Sequence, residues 1–402
     1  MRRRWCAVPL LGLGFLLACR GEGHSPGDAG LALLVDSLRG PVERAVGLSF
    51  RSPPRSAMRT REQVRSYLLA KVDEELTPAR VRGLETAYRL FGLLPDTLDL
   101  KSLLLELYTE QVAGYYEPDS SMLFGVEGAE RSQLRLVLAH ELVHALQGQY
   151  LPLDSILSET SNNDRLAAAQ AVLEGQATLA SLEVLAPGQA VAENPEFWEM
   201  YRAQVREQQA AMPVFRRAPL VLREALIFPY LAGAEFMHWW AGSSFADTLP
   251  YGPRMPASTE QVLHPDRLAR GDGPVALVIA PDSGVYYEDV LGENELRVLA
   301  AELAGSDEVQ TVLPMGWGGD RYRVYPGAEA PVLVWFVVWD DERSRARFMR
   351  GLAPGLRVTG RRGYRAVVDE VEVDDHPAVR YILAPSGWRG WDVLPQVGLA
   401  AP

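Results

Sequence analysis

An α+β fold is the class this sequence predicts, with helices dominating the first two thirds and strands and helices alternating in the last third. Three observations carry that expectation. Apolar residues recur at three-to-four spacing from about residue 31 to residue 110, the period of amphipathic helices. Leu134 to Gln147 is almost wholly apolar, without Gly or Pro, yet contains His140, Glu141 and His144, which reads as a buried helix with a polar purpose. From about residue 274, short apolar runs of strand length alternate with helical patterns. These shifts divide the chain into a leader (1–18), a tether (19–30), a helical N-terminal segment (31–110), a core carrying the histidines (111–270) and a small α+β domain (271–402).

The leader is basic at Met1–Arg4, apolar from Trp5 to Ala18, and closes on Leu16-Leu17-Ala18-Cys19. A bilayer span needs about 20 apolar residues, so this run reads as an export signal. The closing tetrapeptide resembles a bacterial lipobox, with Leu17 a less usual residue at its place. That resemblance implies diacylation of Cys19, lipid anchoring in the bacterial cell envelope and, because Arg20 follows the cysteine, a preference for the outer membrane if the cell has two membranes. Cys6, the other cysteine, lies within the leader. The mature chain therefore lacks a cysteine pair for an intramolecular disulfide and a thiolate for catalysis or metal binding. A formal net charge of −12 speaks against a nucleic-acid partner.

Arg20 to Gly30, rich in Gly, Ser and Asp, suits a flexible tether. Helices are expected over Leu31–Leu38, Arg61–Leu76, Pro78–Leu90 and Leu98–Val112, with Thr60 and Thr77 as caps. Gly114 to Val126 reads as a hairpin turning at Pro118-Asp119-Ser120.

His140, Glu141 and His144 form an H-E-x-x-H. On a helix, residues four apart sit one above the other while the adjacent position is offset by about a quarter turn. Two imidazoles so placed can share one zinc, and Glu141 can reach a water at the metal without ligating it. Zinc needs a third protein ligand, and the remaining histidines (His24, His238, His264, His376) are sparse, so a carboxylate is expected. Asn163 and Asp164 can cap a helix from Arg165 to about Leu185, with Glu174 at its middle among Ala167, Ala171, Ala177, Thr178 and Ser181. Small residues allow close approach to the histidine helix, which makes Glu174 the third ligand; Glu159 and Asp164 are the rivals.

With H-E-x-x-H on one helix and glutamate on the next, the chain resembles the gluzincin branch of zinc metallopeptidases. The phrases at 110–118, 258–265 and 316–322 resemble uncharacterised bacterial lipoproteins of that kind. The resemblance implies a zincin-like core, hydrolysis of peptide or protein substrates, and a strand before the metal helix along which substrate lies. Many gluzincins carry an acidic group four residues after the ligand glutamate. Thr178 stands there, so histidine orientation is expected from Glu110, Asp164 or a backbone carbonyl. A non-catalytic zinc-containing envelope assembly or peptide-binding lipoprotein is the alternative, and the oligomeric state stays open.

Leu222 to Trp240 is an apolar helix in which His238 reads as a core residue. Ser258 and Gln261 suggest a capping box before His264-Pro265, and His264 is a candidate donor to the oxyanion of a tetrahedral intermediate. Beyond 274, strands are expected at 275–280, 322–325, 332–339, 364–373 and 378–384, and helices at 293–304 and 342–352. Trp317, Trp335 and Trp339 read as packing residues.

Overall fold

The computed structural model describes residues 27–400 apart from 159–160, 283, 328, 359–360 and 391–395. The leader, Cys19 and the rival ligand Glu159 lie outside the described residues. Among the described residues, no helix is long and apolar enough to cross a membrane.

The chain begins with α1 (Asp28–Val46), whose Leu31, Leu34, Val35, Leu38, Val42 and Val46 form one buried stripe. The helix runs well past the expected end at Leu38, through Pro41. Val42 and Val46 extend the stripe, so tertiary burial outweighs the hydrogen bond the proline cannot make. After β1 (Arg55–Arg59) comes α2 (Arg61–Glu75), opened by a capping box. Thr60 Oγ1 accepts from the Gln63 N–H at 3.2 Å, and Gln63 Oε1 accepts from the Thr60 N–H at 2.8 Å. Next is α3 (Pro78–Phe91), with Thr77 as cap and proline at its first turn, and then α4 (Leu100–Gln111), capped by Asp99. Each such cap contributes about 1 kcal/mol.

The hairpin forms as expected from β2 (Gly114–Glu117) and β3 (Met122–Val126), and β1 joins it parallel to β3, giving the order β1-β3-β2. Then follow α5 (Arg131–Tyr150), α6 (Leu153–Leu157), α7 (Asn163–Leu185), α8 (Pro195–Ala210), α9 (Pro213–Arg217), α10 (Leu220–Gly242), α11 (Thr259–Leu263) and α12 (Pro265–Ala269). The stripe on α1 packs against Leu134, Leu138 and Leu142 of α5 and Ala177 and Ala180 of α7 in one apolar cluster. The N-terminal segment is therefore part of the core that holds the histidine helix.

The small residues of α7 serve two neighbours. Ala177 and Ala180 meet α5, whereas Ala171 and Gly175 meet α10. At that crossing the backbones touch. A Cβ on Gly175 would lie 2.1 Å from the Gly233 carbonyl carbon, and one on Gly233 would lie 2.0 Å from the Ala171 carbonyl oxygen. Glycine at both positions is thus a steric requirement.

The last third contains β4 (Leu277–Ile279), β5 (Tyr287–Asp289), α13 (Gly292–Ala304), β6 (Trp317–Tyr325), β7 (Val332–Trp339), α14 (Glu342–Gly351), α15 (Ala353–Arg357), β8 (Tyr364–Val373), β9 (His376–Pro385) and β10 (Val397–Leu399). Five strands form an antiparallel sheet in the order β5-β6-β7-β9-β8. Every residue of β7 is buried because both faces are covered. Leu333, Trp335, Val337 and Trp339 face the helices, while Val332, Val334, Phe336 and Val338 face the β4–β10 pair. The α+β class and the helix-then-sheet division are as the sequence predicts. The three tryptophans are fully buried packing residues.

Candidate metal centre

His140 and His144 lie on one face of α5 and are 7% and 0% exposed; Glu174 faces them from the middle of α7 at 5%. Burial of three ionisable groups among apolar neighbours is costly unless they pair or bind a metal. Their donor atoms converge. His140 Nε2 is 2.9 Å from Glu174 Oε2, His144 Nε2 is 3.3 Å from the same oxygen, and the two Nε2 atoms are 3.1 Å apart. One ligand atom from each residue falls within 4.8 Å of the others, so this buried group could hold a metal ion. Tetrahedral bonds of about 2.0–2.1 Å place neighbouring ligand atoms roughly 3.3 Å apart, close to the spacing here.

The tautomer of His144 also suits a metal. Its Nδ1 lies 2.9 Å from Gln147 Oε1, and Gln147 Nε2 donates to the Leu173 carbonyl at 3.0 Å and to Gln176 Oε1 at 2.9 Å. Gln147 Oε1 can only accept, so Nδ1 must be the donor, which leaves the neutral ring's lone pair on Nε2. The histidine-orienting group is thus Gln147, one turn beyond His144, and none of the residues the sequence nominated for that part. Glu110 instead accepts from the Val214 and Phe215 N–H groups at the start of α9, and Asp164 accepts from Thr259. Asp164 is occupied there as well as a rival ligand. Gln147 was visible as a polar residue three positions after a candidate ligand on an apolar helix.

Electrostatics at the centre follow from burial set against proximity. Burial disfavours charge on both rings. At His144 the Glu174 carboxylate overcomes it and the pKa rises to about 9, whereas His140 is lowered. Two imidazoles this close do not both become imidazolium. Burial likewise works against ionising Glu174, but the His144 charge and the hydrogen bonds from both rings bring its carboxyl down to about 2.

Glu141 stands apart from this group, as its offset on the helix predicts. It is completely buried, and burial pushes its carboxyl up to about 8. Oε2 accepts from the Tyr116 N–H at 2.8 Å, while Oε1 is buried with no hydrogen-bond partner. Tyr116 belongs to β2, the edge of the small sheet. The Val126 N–H donates to the Ala113 carbonyl at 3.1 Å, so by the two-residue period Gly114 and Tyr116 turn their main-chain groups away from β3. The strand before α5, β3, is therefore central, enclosed between β1 and β2, and β2 is the edge strand beside Glu141. Glu141 already occupies the Tyr116 amide at that edge.

His264 sits elsewhere. Its Nε2 lies 3.0 Å from Glu293 Oε1, an oxygen that also accepts from Arg297 at 2.6 Å. The aromatic beside the pair is Tyr230 of α10, its ring centre 5.9 Å from that of His140. Tyr230 and Glu174 both line a cavity of about 230 Å³, and His264 does not. His238 packs near Trp198, with ring centres 5.5 Å apart.

One family model matches. It is described as a domain of unknown function, DUF8575, and covers residues 283–386, which run from β5 to β9 and include α13 but none of the metal group. No curated protein and no solved structure matches the chain.

Proposed function

We propose that this protein is a zinc-dependent peptidase of the gluzincin kind, exported and held to the bacterial cell envelope by lipid on Cys19. One observation carries the reading. Three donors converge from α5 and α7, while a fourth buried group, Glu141, stays out of the triangle with one oxygen unpaired. A purely structural zinc site takes four protein ligands and needs no neighbouring base. When bound, zinc supplies Lewis-acid polarisation of a carbonyl and a water of lowered pKa.

The chain's own residues then divide the work. His140, His144 and Glu174 are the ligands, and Gln147 fixes the ring of His144. The Tyr116 N–H pins Glu141 Oε2, leaving Oε1 to take a proton from the attacking water and pass it to the leaving amine. Burial raises the basicity of that carboxylate, the direction a general base working near neutrality requires. Tyr230, beside His140, takes the oxyanion-stabilising part in place of His264, which is engaged with Glu293 and Arg297.

Metal content and turnover of a mixed peptide library test the reading. Wild-type protein should hold about one zinc per chain and cleave peptides. Failure to take up zinc overturns the site. Stoichiometric zinc with no turnover of any peptide overturns the enzyme and leaves the non-catalytic assembly factor. For the anchor, Cys19→Ser should release the protein from the membrane fraction; wild-type protein recovered without lipid or membrane association refutes it.

A further inference from the structure

The side-chain amide of Gln147 can face His144 in either of two ways, and only one of them suits a metal. With Nε2 toward the ring, the amide would donate to Nδ1, the ring proton would move to Nε2, and the lone pair would leave the ligand triangle. The far end of the amide decides between the two. Nε2 has two protons to give and meets two acceptors, the Leu173 carbonyl at 3.0 Å and Gln176 Oε1 at 2.9 Å. Flipped, the amide would set its own oxygen against both of these oxygens.

The Leu173 carbonyl is main chain and stays where α7 puts it. Gln176 Oε1 ends a flexible side chain, so its position needs a second tie. Tyr251 supplies it: its hydroxyl donates to Gln176 Oε1, the same oxygen that accepts from Gln147 Nε2. Tyr251 reaches α7 from the turn between α10 and α11. Its ring packs against the cluster of Leu153, Leu157, Leu166 and Leu173, and the turn is pinned where the Trp240 indole donates to the Thr248 carbonyl at 2.8 Å. Gln147 and Gln176 are 0% and 5% exposed, so bulk water does not stand in for a lost partner.

We propose that Tyr251 is a positioning residue of the metal centre: through Gln176 and Gln147 it holds the ring of His144 with the Nε2 lone pair on the ligand triangle. It bonds none of the three ligands directly and acts only through the two amides. The inference rests on the zinc-site part of the reading above and is independent of what that site cleaves. A tyrosine serving packing alone would do its work through the ring. Tyr251→Phe keeps the ring and removes the hydroxyl, which separates the two roles.

Zinc affinity of the full mature chain, measured by competition with a chelator, reads the effect. Loss of a direct partner of a metal ligand costs about 10- to 100-fold, so Tyr251→Phe, one bond further out, should weaken zinc by roughly 3- to 10-fold. Because the bonds act in series, the effect should vanish once the chain is cut nearer the metal. In a Gln147→Leu background, Tyr251→Phe should change zinc affinity by less than about twofold. Gln176→Leu is the second background and should silence Tyr251→Phe in the same way. Cobalt(II) in place of zinc reports ligand geometry in its visible spectrum, which Tyr251→Phe should alter in the same sense as Gln147→Leu. Unchanged zinc affinity in Tyr251→Phe, or an equal loss in the wild-type and cut backgrounds, overturns the proposal. Its failure is separable from failure of the peptidase reading. Zinc affinity that depends on the Tyr251 hydroxyl, without peptide cleavage, sinks the enzyme and keeps the positioning role. Peptide cleavage by a protein whose zinc affinity ignores Tyr251→Phe sinks the role and keeps the enzyme.

Discussion

Helix α7 carries two buried polar centres about 15 Å apart along its axis, and they are built on opposite lines. At its N-terminus, Asp164, Asp289 and Asp320 are supplied with donors. Asp164 Oδ1 accepts from the Thr259 N–H at 3.0 Å, and Asp289 Oδ1 accepts from the Asn163 N–H at 2.7 Å. Asp320 accepts from the Leu291 and Gly292 N–H groups and from the indoles of Trp317 and Trp335, all at 2.8–3.0 Å. At its middle, Glu174 shares one oxygen with two imidazoles, and nearby Glu141 keeps an oxygen unpaired. Both centres are equally hidden from water. The donors supplied to the three aspartates, rather than burial, separate this joint from a group that could hold a metal ion.

The largest test of that contrast is at the unsaturated centre. Glu141→Gln should keep zinc while peptide cleavage falls by about 10²–10⁴, whereas Glu174→Ala should lose zinc itself. Metal analysis beside a peptide assay reads both. Wild-type cleavage by the first variant, or undiminished zinc affinity in the second, would show that the two carboxylates have been given each other's parts. At the saturated centre, Asp320→Ala strands four buried donors and should cost at least about 3 kcal/mol. A denaturant titration with an unchanged midpoint would remove Asp320 from the joint.

Smaller effects sharpen the boundary between the two. Gln147→Leu leaves His144 without its Nδ1 partner and should weaken metal binding about 10- to 100-fold with little loss of fold. Competition with a chelator measures this, and unchanged affinity would mean that the ring is held by packing. The smallest effect concerns pH. Burial raises Asp164 to about 7 and Asp289 to about 6, both from 3.8. Groups raised on folding contribute stability that is full below about pH 4 and is lost as pH rises through 6–7. The melting temperature of metal-free protein should therefore fall between pH 5 and 8, and Asp164→Asn should flatten that slope. Identical slopes in the two proteins would dismiss Asp164 as its source.

What the sequence made legible follows from the length scale of each signal. The helices bearing His140, His144 and Glu174, the β2–β3 hairpin and the order of elements after 274 all rest on periods of two or 3.6 residues repeated several times. β1, β5 and β10 escaped notice because each spans three to five residues and exists through a distant partner, as Arg55–Arg59 does through Met122–Val126. The same limit applied at the site. The ligand triangle follows from spacing within α5 and from the composition of α7. Gln147 required knowing which ring nitrogen faced the metal side, and Tyr251 required the turn after α10 to come back to Gln176, 75 residues away in the chain. Thr259 and Gly-Trp-Gly-Gly-Asp-Arg-Tyr were legible only as parts of phrases. In the fold, Thr259 joins Asp164 of α7 to the Asn294 N–H of α13, and Asp320 ties β6 to the start of α13.

The contact between Gly175 and Gly233 gives α7 a fulcrum, and Glu174 is the residue next to it. A stiff helix rocking by about 5° on that point would carry its Asp164 end through roughly 1 Å, while Glu174, one residue of rise away, would shift by only about 0.1 Å. The close crossing of α7 and α10 thus places the residue that faces the two histidines beside the tightest backbone contact on its helix.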